Sequence, residues 1–156
     1  MNIRRHLALA LAFCAGAAAI SEAAPKAAPL SIKPTGWPIK ELLVDAPDGA
    51  KVEQKATSIF VSAGAHFSIG LARSTPRDIE GERKASLTNG AVVDTNSPDV
   101  LLWHQDLAGM LMYNFIVTAH IGKDSLICTG STLDNQIYSK ADCDQMIAAC
   151  KSVRKK

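Results

Sequence analysis

Three β-strands with short connections are predicted in residues 100–130, whose sequence is VLLWHQDLAGMLMYNFIVTAHIGKDSLICTG. The strands are Val100–Asp106, Leu111–Ile121 and Ser125–Gly130, and the residues between them have the aspartate and glycine typical of hairpin turns. Continuous apolar runs in the first two strands indicate that the sheet is at least partly covered on both faces here. We therefore expect an antiparallel meander at the centre of the fold.

Upstream of the meander, four further strands are predicted: Lys40–Pro47, Thr57–Ala63, His66–Arg73 and Ala91–Thr95. Gly64-Ala65 joins the second and third of them as a two-residue hairpin link. Within the third, Phe67, Ile69 and Leu71 alternate with polar or small residues, so His66 is expected to face away from the apolar side.

Two helices complete the predicted fold. The first has Thr75 as N-cap and Pro76 at its first position, and Asn89-Gly90 supplies its stop. The last begins at Ser139 with a capping-box pattern and carries one apolar stripe, which predicts that it packs on the sheet. The fold class is therefore α+β, with a mostly antiparallel sheet of six to seven strands, a mid-chain helix and a C-terminal helix.

The N-terminal region predicts export. Residues 1–23 combine Arg4 and Arg5, an uncharged apolar stretch and a small-x-small cleavage site, which is the pattern of a secretory signal peptide. Lipid anchoring at Cys14 is a less favoured alternative, because bulky Phe13 precedes that cysteine. A Pro/Ala-rich leader is expected at 24–36, a single domain at 37–153 and a basic tail at 154–156.

Composition excludes several classes of protein. The 156-residue chain has a formal net charge of +2, which argues against a nucleic-acid binder recognised by charge and against an acidic disordered chain. No apolar stretch reaches the roughly 20 residues of a spanning helix. We expect a periplasmic or extracellular protein with no nucleic-acid partner and no transmembrane span in the mature chain.

Cys128, Cys143 and Cys150 remain after cleavage and would meet an oxidising compartment. Seven residues of helix separate Cys143 from Cys150 by about 10.5 Å, too far for them to pair with each other. Cys128 must therefore be one partner of any intramolecular bridge. We favour Cys128–Cys150, which would fasten the last helix to the sheet, and Cys128–Cys143 stays an alternative. A zinc site is not indicated, since no C-x-x-C spacing occurs.

The order of elements resembles the PsbP-like α/β/α sandwich group of exported domains. The likeness covers residues 37–153 and includes the apolar strand that ends in Ala46-Pro47-Asp48-Gly49-Ala50, the helix introduced by Asp78-Ile79, the meander and the C-terminal helix. Members of that group are mostly adaptors, assembly factors and chaperones. The resemblance therefore implies a non-enzymatic accessory function and supplies no catalytic residues.

Motifs that carry chemistry are missing from the sequence. It has no phosphate loop, Gly-x-Ser-x-Gly elbow or His-Glu-x-x-His. His104 and Asp106 share one strand face and are the candidate pair for a hydrolase or metal-dependent enzyme. A metal site of His66 and His120 would require their strands to be neighbours. Trp37, Trp103 and Tyr113 could line a groove, although core packing better suits the last two.

The leading prediction is a binding, accessory or chaperone-like domain with a protein partner and no cofactor, because the fold is well patterned and lacks a catalytic constellation. The alternatives are the enzyme built on His104 and Asp106 and a structural component of the cell envelope.

Overall fold

A computed structural model describes residues 26–87, 90–131 and 137–156. The predicted signal peptide 1–23, with Cys14 and the cleavage site, and Asn89 of the first helix stop lie outside the described residues. The described elements, in chain order, are β1 (Ala27–Ile32), β2 (Leu42–Pro47), β3 (Lys51–Lys55), β4 (Ser58–Ala63), β5 (Phe67–Ser74), α1 (Pro76–Ser86), β6 (Val92–Asn96), β7 (Val100–Leu107), β8 (Met110–Ile121), β9 (Asp124–Gly130), α2 (Lys140–Lys151) and β10 (Arg154–Lys155).

The predicted α+β class is confirmed, with two sheets. The large sheet is antiparallel and has seven strands in the order β3-β4-β5-β9-β8-β7-β6. The predicted meander is present, because β7 pairs with β8 and β8 with β9, and these three strands occupy the fourth to sixth positions of the seven. The small sheet has the order β1-β2-β10. In the part of the chain that is described, no helix is long and apolar enough to cross a membrane.

The main core lies between the two sheets. Helix α2 contacts β5, β8 and β9 of the large sheet and β2 of the small one. Four residues of the predicted apolar stripe, Cys143, Met146, Ile147 and Cys150, are buried in the helix together with Ala149. The fifth, Val153, is buried beyond the end of α2. Helix α2 packs on the sheet, as predicted. Its buried side chains form one continuous hydrophobic cluster with buried residues of both sheets.

A smaller cluster lies on the opposite face of the large sheet, under α1. Ile79 of α1 packs with Leu101, Trp103, Ile116 and Ile127 of the sheet. The predicted N-cap of α1 is confirmed, since the Thr75 hydroxyl accepts a hydrogen bond from the backbone N–H of Asp78. With 11 residues, α1 is about 16 Å long. It therefore covers only part of a seven-stranded sheet.

Buried Arg83 fastens α1 to the turn that follows β6. Its Nη2 donates to Asn96 Oδ1 at 2.8 Å and to the carbonyl of Ser97 at 2.7 Å. A buried guanidinium needs such acceptors, because removing them would leave a desolvated charge unpaired.

The capping box predicted at the start of α2 is also confirmed. The Ser139 hydroxyl accepts from the N–H of Asp142, and the Asp142 carboxylate accepts from the N–H of Ser139. Burial favours the neutral form of Asp142, but the hydrogen bonds from Ser139 and the nearby His66 outweigh it, so the pKa of Asp142 is lowered. The charged cap is the stable form in the fold.

The favoured cysteine pairing is confirmed: Cys128 of β9 and Cys150 of α2 are joined, with their Cα atoms 5.8 Å apart. Cys143 is the free thiol and is buried. Its burial, together with the carboxylates of Asp142 and Asp144, raises the pKa of the thiol to about 12. The thiol is therefore protonated and inert in the folded protein.

The predicted leader 24–36 and basic tail 154–156 need correction. Residues Ala27–Ile32 form β1 and residues Arg154–Lys155 form β10, and both pair with β2. Pro29 is tolerated because β1 is an edge strand that pairs on one side only. The folded unit therefore extends beyond the predicted boundaries of 37 and 153. Sequence patterning also missed β3, whose residues alternate poorly because it is an exposed edge strand.

Candidate functional site

The predicted pair of His104 and Asp106 is not a unit in the structure. His104 Nδ1 lies 2.7 Å from Asp94 Oδ2 on the neighbouring strand β6, and its ring stacks at a tilt on Tyr113, with centroids 5.1 Å apart. The Asp106 carboxylate instead accepts the N–H of Gly109 and holds the β7–β8 turn. Sequence reasoning missed Asp94, whose contact depends on the pairing of β6 with β7.

His66 and His120 do not form the conceived metal site. Strand β9 lies between β5 and β8, so the turn before β5 that holds His66 and the strand β8 that holds His120 are not neighbours. His66 instead lies 3.5 Å from Asp142, and His120 lies 3.2 Å from Asp99. The prediction that His66 belongs to the strand is wrong, because the link between β4 and β5 comprises three residues, Gly64, Ala65 and His66. Among the described residues no group of three or more His, Cys, Asp or Glu side chains could hold a metal ion.

The aromatic residues contribute to packing and also to a cavity. Trp103 is buried at 9% exposure, and Trp37 and Tyr113 pack partly buried against the main core. Trp103 and Tyr113 in addition line a groove of about 530 Å³ beside α1, which we call the α1 groove. Its lining consists of Glu82, Ser86, Trp103, Met112, Tyr113, Asn114, Phe115, Ile116, Thr129, Gly130, Ile137 and Tyr138.

The α1 groove exists because two elements end early. Helix α1 ends at Ser86, and β9 ends at Gly130 although β8 begins at Met110. Beyond the end of β9, the N–H of Tyr113 donates to the carbonyl of Tyr138, and the Tyr138 hydroxyl donates to the carbonyl of Ser131. The floor of the groove is therefore fixed by hydrogen bonds.

The polar side chains in this groove are available to a ligand. Within residues 26–87, 90–131 and 137–156, the side chains of Glu82, Asn114 and Thr129 have no hydrogen-bond or ion-pair partner. A mostly apolar cavity with a few convergent polar groups is the usual form of a ligand site, and such sites measure about 300–1,000 Å³. The α1 groove has this composition and size.

Next to the groove lies an exposed apolar surface. Eight large apolar side chains are exposed in the described part of the chain, and only Val52 lies on the far edge strand β3. The other seven lie at one end of the molecule, which carries the β7–β8 turn, the start of β6 and the end of α1; we call them the hairpin-end surface. They are Leu87, Val92, Val93, Leu107, Met110, Leu111 and Ile137. On the strands they occupy both faces of the sheet, with Val92 and Leu111 on one face and Val93, Leu107 and Met110 on the other.

A second cavity, of about 660 Å³, lies within the hairpin-end surface and is lined by His104, Asp106, Leu107 and Leu111 among others. Among the described residues that line the two cavities, the carboxylates are Glu82 in the α1 groove and Asp106 in the second cavity. Each cavity therefore has one carboxylate in its described lining.

No protein-family profile matches the chain, and no curated protein or solved structure shows significant similarity to it.

Proposed function

We propose that this chain is an exported accessory domain that binds a segment of another exported protein at its hairpin-end surface. The observation that carries the proposal is the location of seven of eight exposed large apolar side chains at one end of the fold. A concentration of exposed large apolar side chains in one region is typical of interaction sites. The predicted signal peptide and the disulfide support export.

The partner segment should carry apolar side chains and a Lys or Arg. The apolar surface would bury the former, and the carboxylates of Glu82 and Asp106 would favour the latter. An anionic lipid surface is a poorer match, because those carboxylates would repel it. The PsbP-like resemblance, with its adaptors and assembly factors, remains part of the proposal.

Site-specific photo-crosslinking in the producing cell tests the proposal. A photoreactive phenylalanine at Leu111, 47% exposed, should capture one protein, and the same group at Val52, 41% exposed, should not. Mass spectrometry should place the crosslink on an apolar segment that contains Lys or Arg, and the purified partner should bind the purified domain. Equal capture at both positions, or crosslinks only to a second copy, to lipid or to peptidoglycan, would overturn it. Crosslinks only to peptidoglycan would favour the alternative function, a structural component of the cell envelope.

A second candidate function, a hydrolase, is favoured by the 2.7 Å contact between His104 and Asp94. A carboxylate on Nδ1 orients an imidazole so that Nε2 can act as a general base. This pairing replaces the expected one with Asp106. If the candidate is right, His104→Ala should remove the phenotype of the producing cell while leaving the crosslink at Leu111 intact; an unaltered phenotype would exclude it.

A further inference from the structure

We propose that the α1 groove is the anchor site for the partner segment, and that it holds an extended stretch in which a large apolar residue is followed by Lys or Arg. This inference rests on the proposed function, because it assigns the chemistry of the segment that would bind at the hairpin-end surface. It concerns a distinct set of residues, those that line the groove beside α1.

The walls of the groove fit an apolar side chain. Trp103 and Ile116 are buried on the α1 face of the sheet and line the groove, and Met112 and Ile137 also line it. An aromatic or branched aliphatic group placed here would contact side chains that the fold already holds rigidly. Rigid apolar pockets of this kind are where interfaces place their strongest anchors.

The polar groups of the groove fit a peptide chain that continues past the anchor. The Asn114 carboxamide can both donate and accept, so it can satisfy one peptide unit of an extended backbone. Thr129 offers a hydroxyl on the next strand. Glu82 is the one charged residue among the described residues of the lining, and none of the described cations forms an ion pair with it. The residue beside the anchor should therefore be cationic.

The continuity of the groove with the hairpin-end surface favours a polypeptide over a small molecule. Ile137 belongs to both, and Met110 of the surface lies two residues before Met112 of the groove, so these two side chains share one face of β8. An occupant that covers both must be longer than the groove itself. A chain segment meets this requirement, with its anchor residue in the groove and its flanking residues on the apolar surface.

Two defined peptides test the inference with the purified protein. The first is acetyl-Gly-Leu-Phe-Lys-Ser-amide, and the second has Glu in place of Lys. In ¹H–¹⁵N spectra the Lys peptide should shift the Asn114 side-chain amide and the Thr129 amide, with saturation. The Glu peptide should bind about fivefold more weakly, in keeping with a partly exposed ion pair. Glu82→Gln should abolish that difference.

Two matched variants place a phenylalanine ring inside the α1 groove and outside it. Ser86→Phe puts it into the groove, and Ala85→Phe puts it on the exposed surface of α1 one residue earlier. Affinity for the Lys peptide should fall at least tenfold in Ser86→Phe and stay within twofold in Ala85→Phe. Equal binding of both peptides, shifts that avoid Asn114 and Thr129, or unchanged binding by Ser86→Phe would each overturn the inference.

The two proposals fail in different ways. If crosslinking from Leu111 captures a partner equally well in Ser86→Phe, the hairpin-end surface binds and the groove does not. If the Lys peptide binds in the groove but Leu111 gives no crosslink to a protein, the groove binds and the proposed function falls. Saturation of the groove by a neutral detergent such as dodecyl maltoside, with no binding of either peptide, would overturn the peptide assignment.

Discussion

Removal of the Cys128–Cys150 bridge should destabilise the fold by about 3 kcal/mol. The two residues are 22 positions apart, and the chain-entropy relation for a closed loop of that size gives this value. For a domain of this length the loss corresponds to a fall in Tm of about 10 °C. The change is the double variant Cys128→Ala and Cys150→Ala, and urea unfolding followed by circular dichroism measures the free energy of unfolding.

The control is the single variant Cys143→Ala, which alters a buried thiol without touching the bridge. It should cost about 1 kcal/mol, because only a small buried group is lost. Iodoacetamide applied to unreduced protein in denaturant should label one of the three cysteines in residues 24–156, and peptide mapping should identify it as Cys143. Labelling of all three, or a double variant within 0.5 kcal/mol of the wild type, would refute the reasoning.

Three other perturbations have expected outcomes. Arg83→Met should lower the free energy of unfolding in urea by about 2 kcal/mol, because the β6–β7 turn loses its charged donor. The control Lys84→Met, on the exposed side of α1, should change it by less than about 0.5 kcal/mol. Equal effects of the two variants would contradict the role of Arg83. Because the pKa of Asp142 is lowered in the fold, its charged form stabilises the protein above the usual pKa of an aspartate, and this contribution is lost as pH falls through the lowered value. Asp142→Asn should therefore lose less stability than the wild type below about pH 4. Acid-unfolding curves of the two proteins that run parallel would disprove this. Leu126→Ala, at a fully buried position, should lower the free energy of unfolding by about 3 kcal/mol, and a loss below 1 kcal/mol would mean that the core is not packed as described.

Local chemistry made much of the fold predictable. The hairpin turns, the capping box at Ser139 and the N-cap at Thr75 depend on residues a few positions apart, so their patterns are visible in the sequence. One partner of the disulfide was predictable because helix geometry excludes the pairing of Cys143 with Cys150 and leaves Cys128 as the necessary partner. The choice of Cys150 over Cys143 depended instead on how a bridge would fasten the last helix to the sheet. The fold class followed from the alternation of apolar residues along the strands.

Long-range pairing was not predictable in the same way. Strands β1 and β10 are separated by more than 120 residues and belong to one sheet only because each of them pairs with β2. The contact of His104 with Asp94 depends on the register of β6, which shifts at a bulge between Val93 and Thr95. The α1 groove results from the early ends of two elements that are distant in sequence, so only the assembled sheet reveals it.

The position of β2 has a consequence for how the chain folds. Its neighbours β1 and β10 come from opposite ends of the described chain, so the small sheet cannot be completed until residues 154–155 are free to pair. During synthesis from the N-terminus, the edge of β2 that pairs with β10 would stay unpaired until residues 154–155 had been made. Completion of the small sheet should therefore be a late event in folding, because contacts so distant in sequence form slowly and after the local ones.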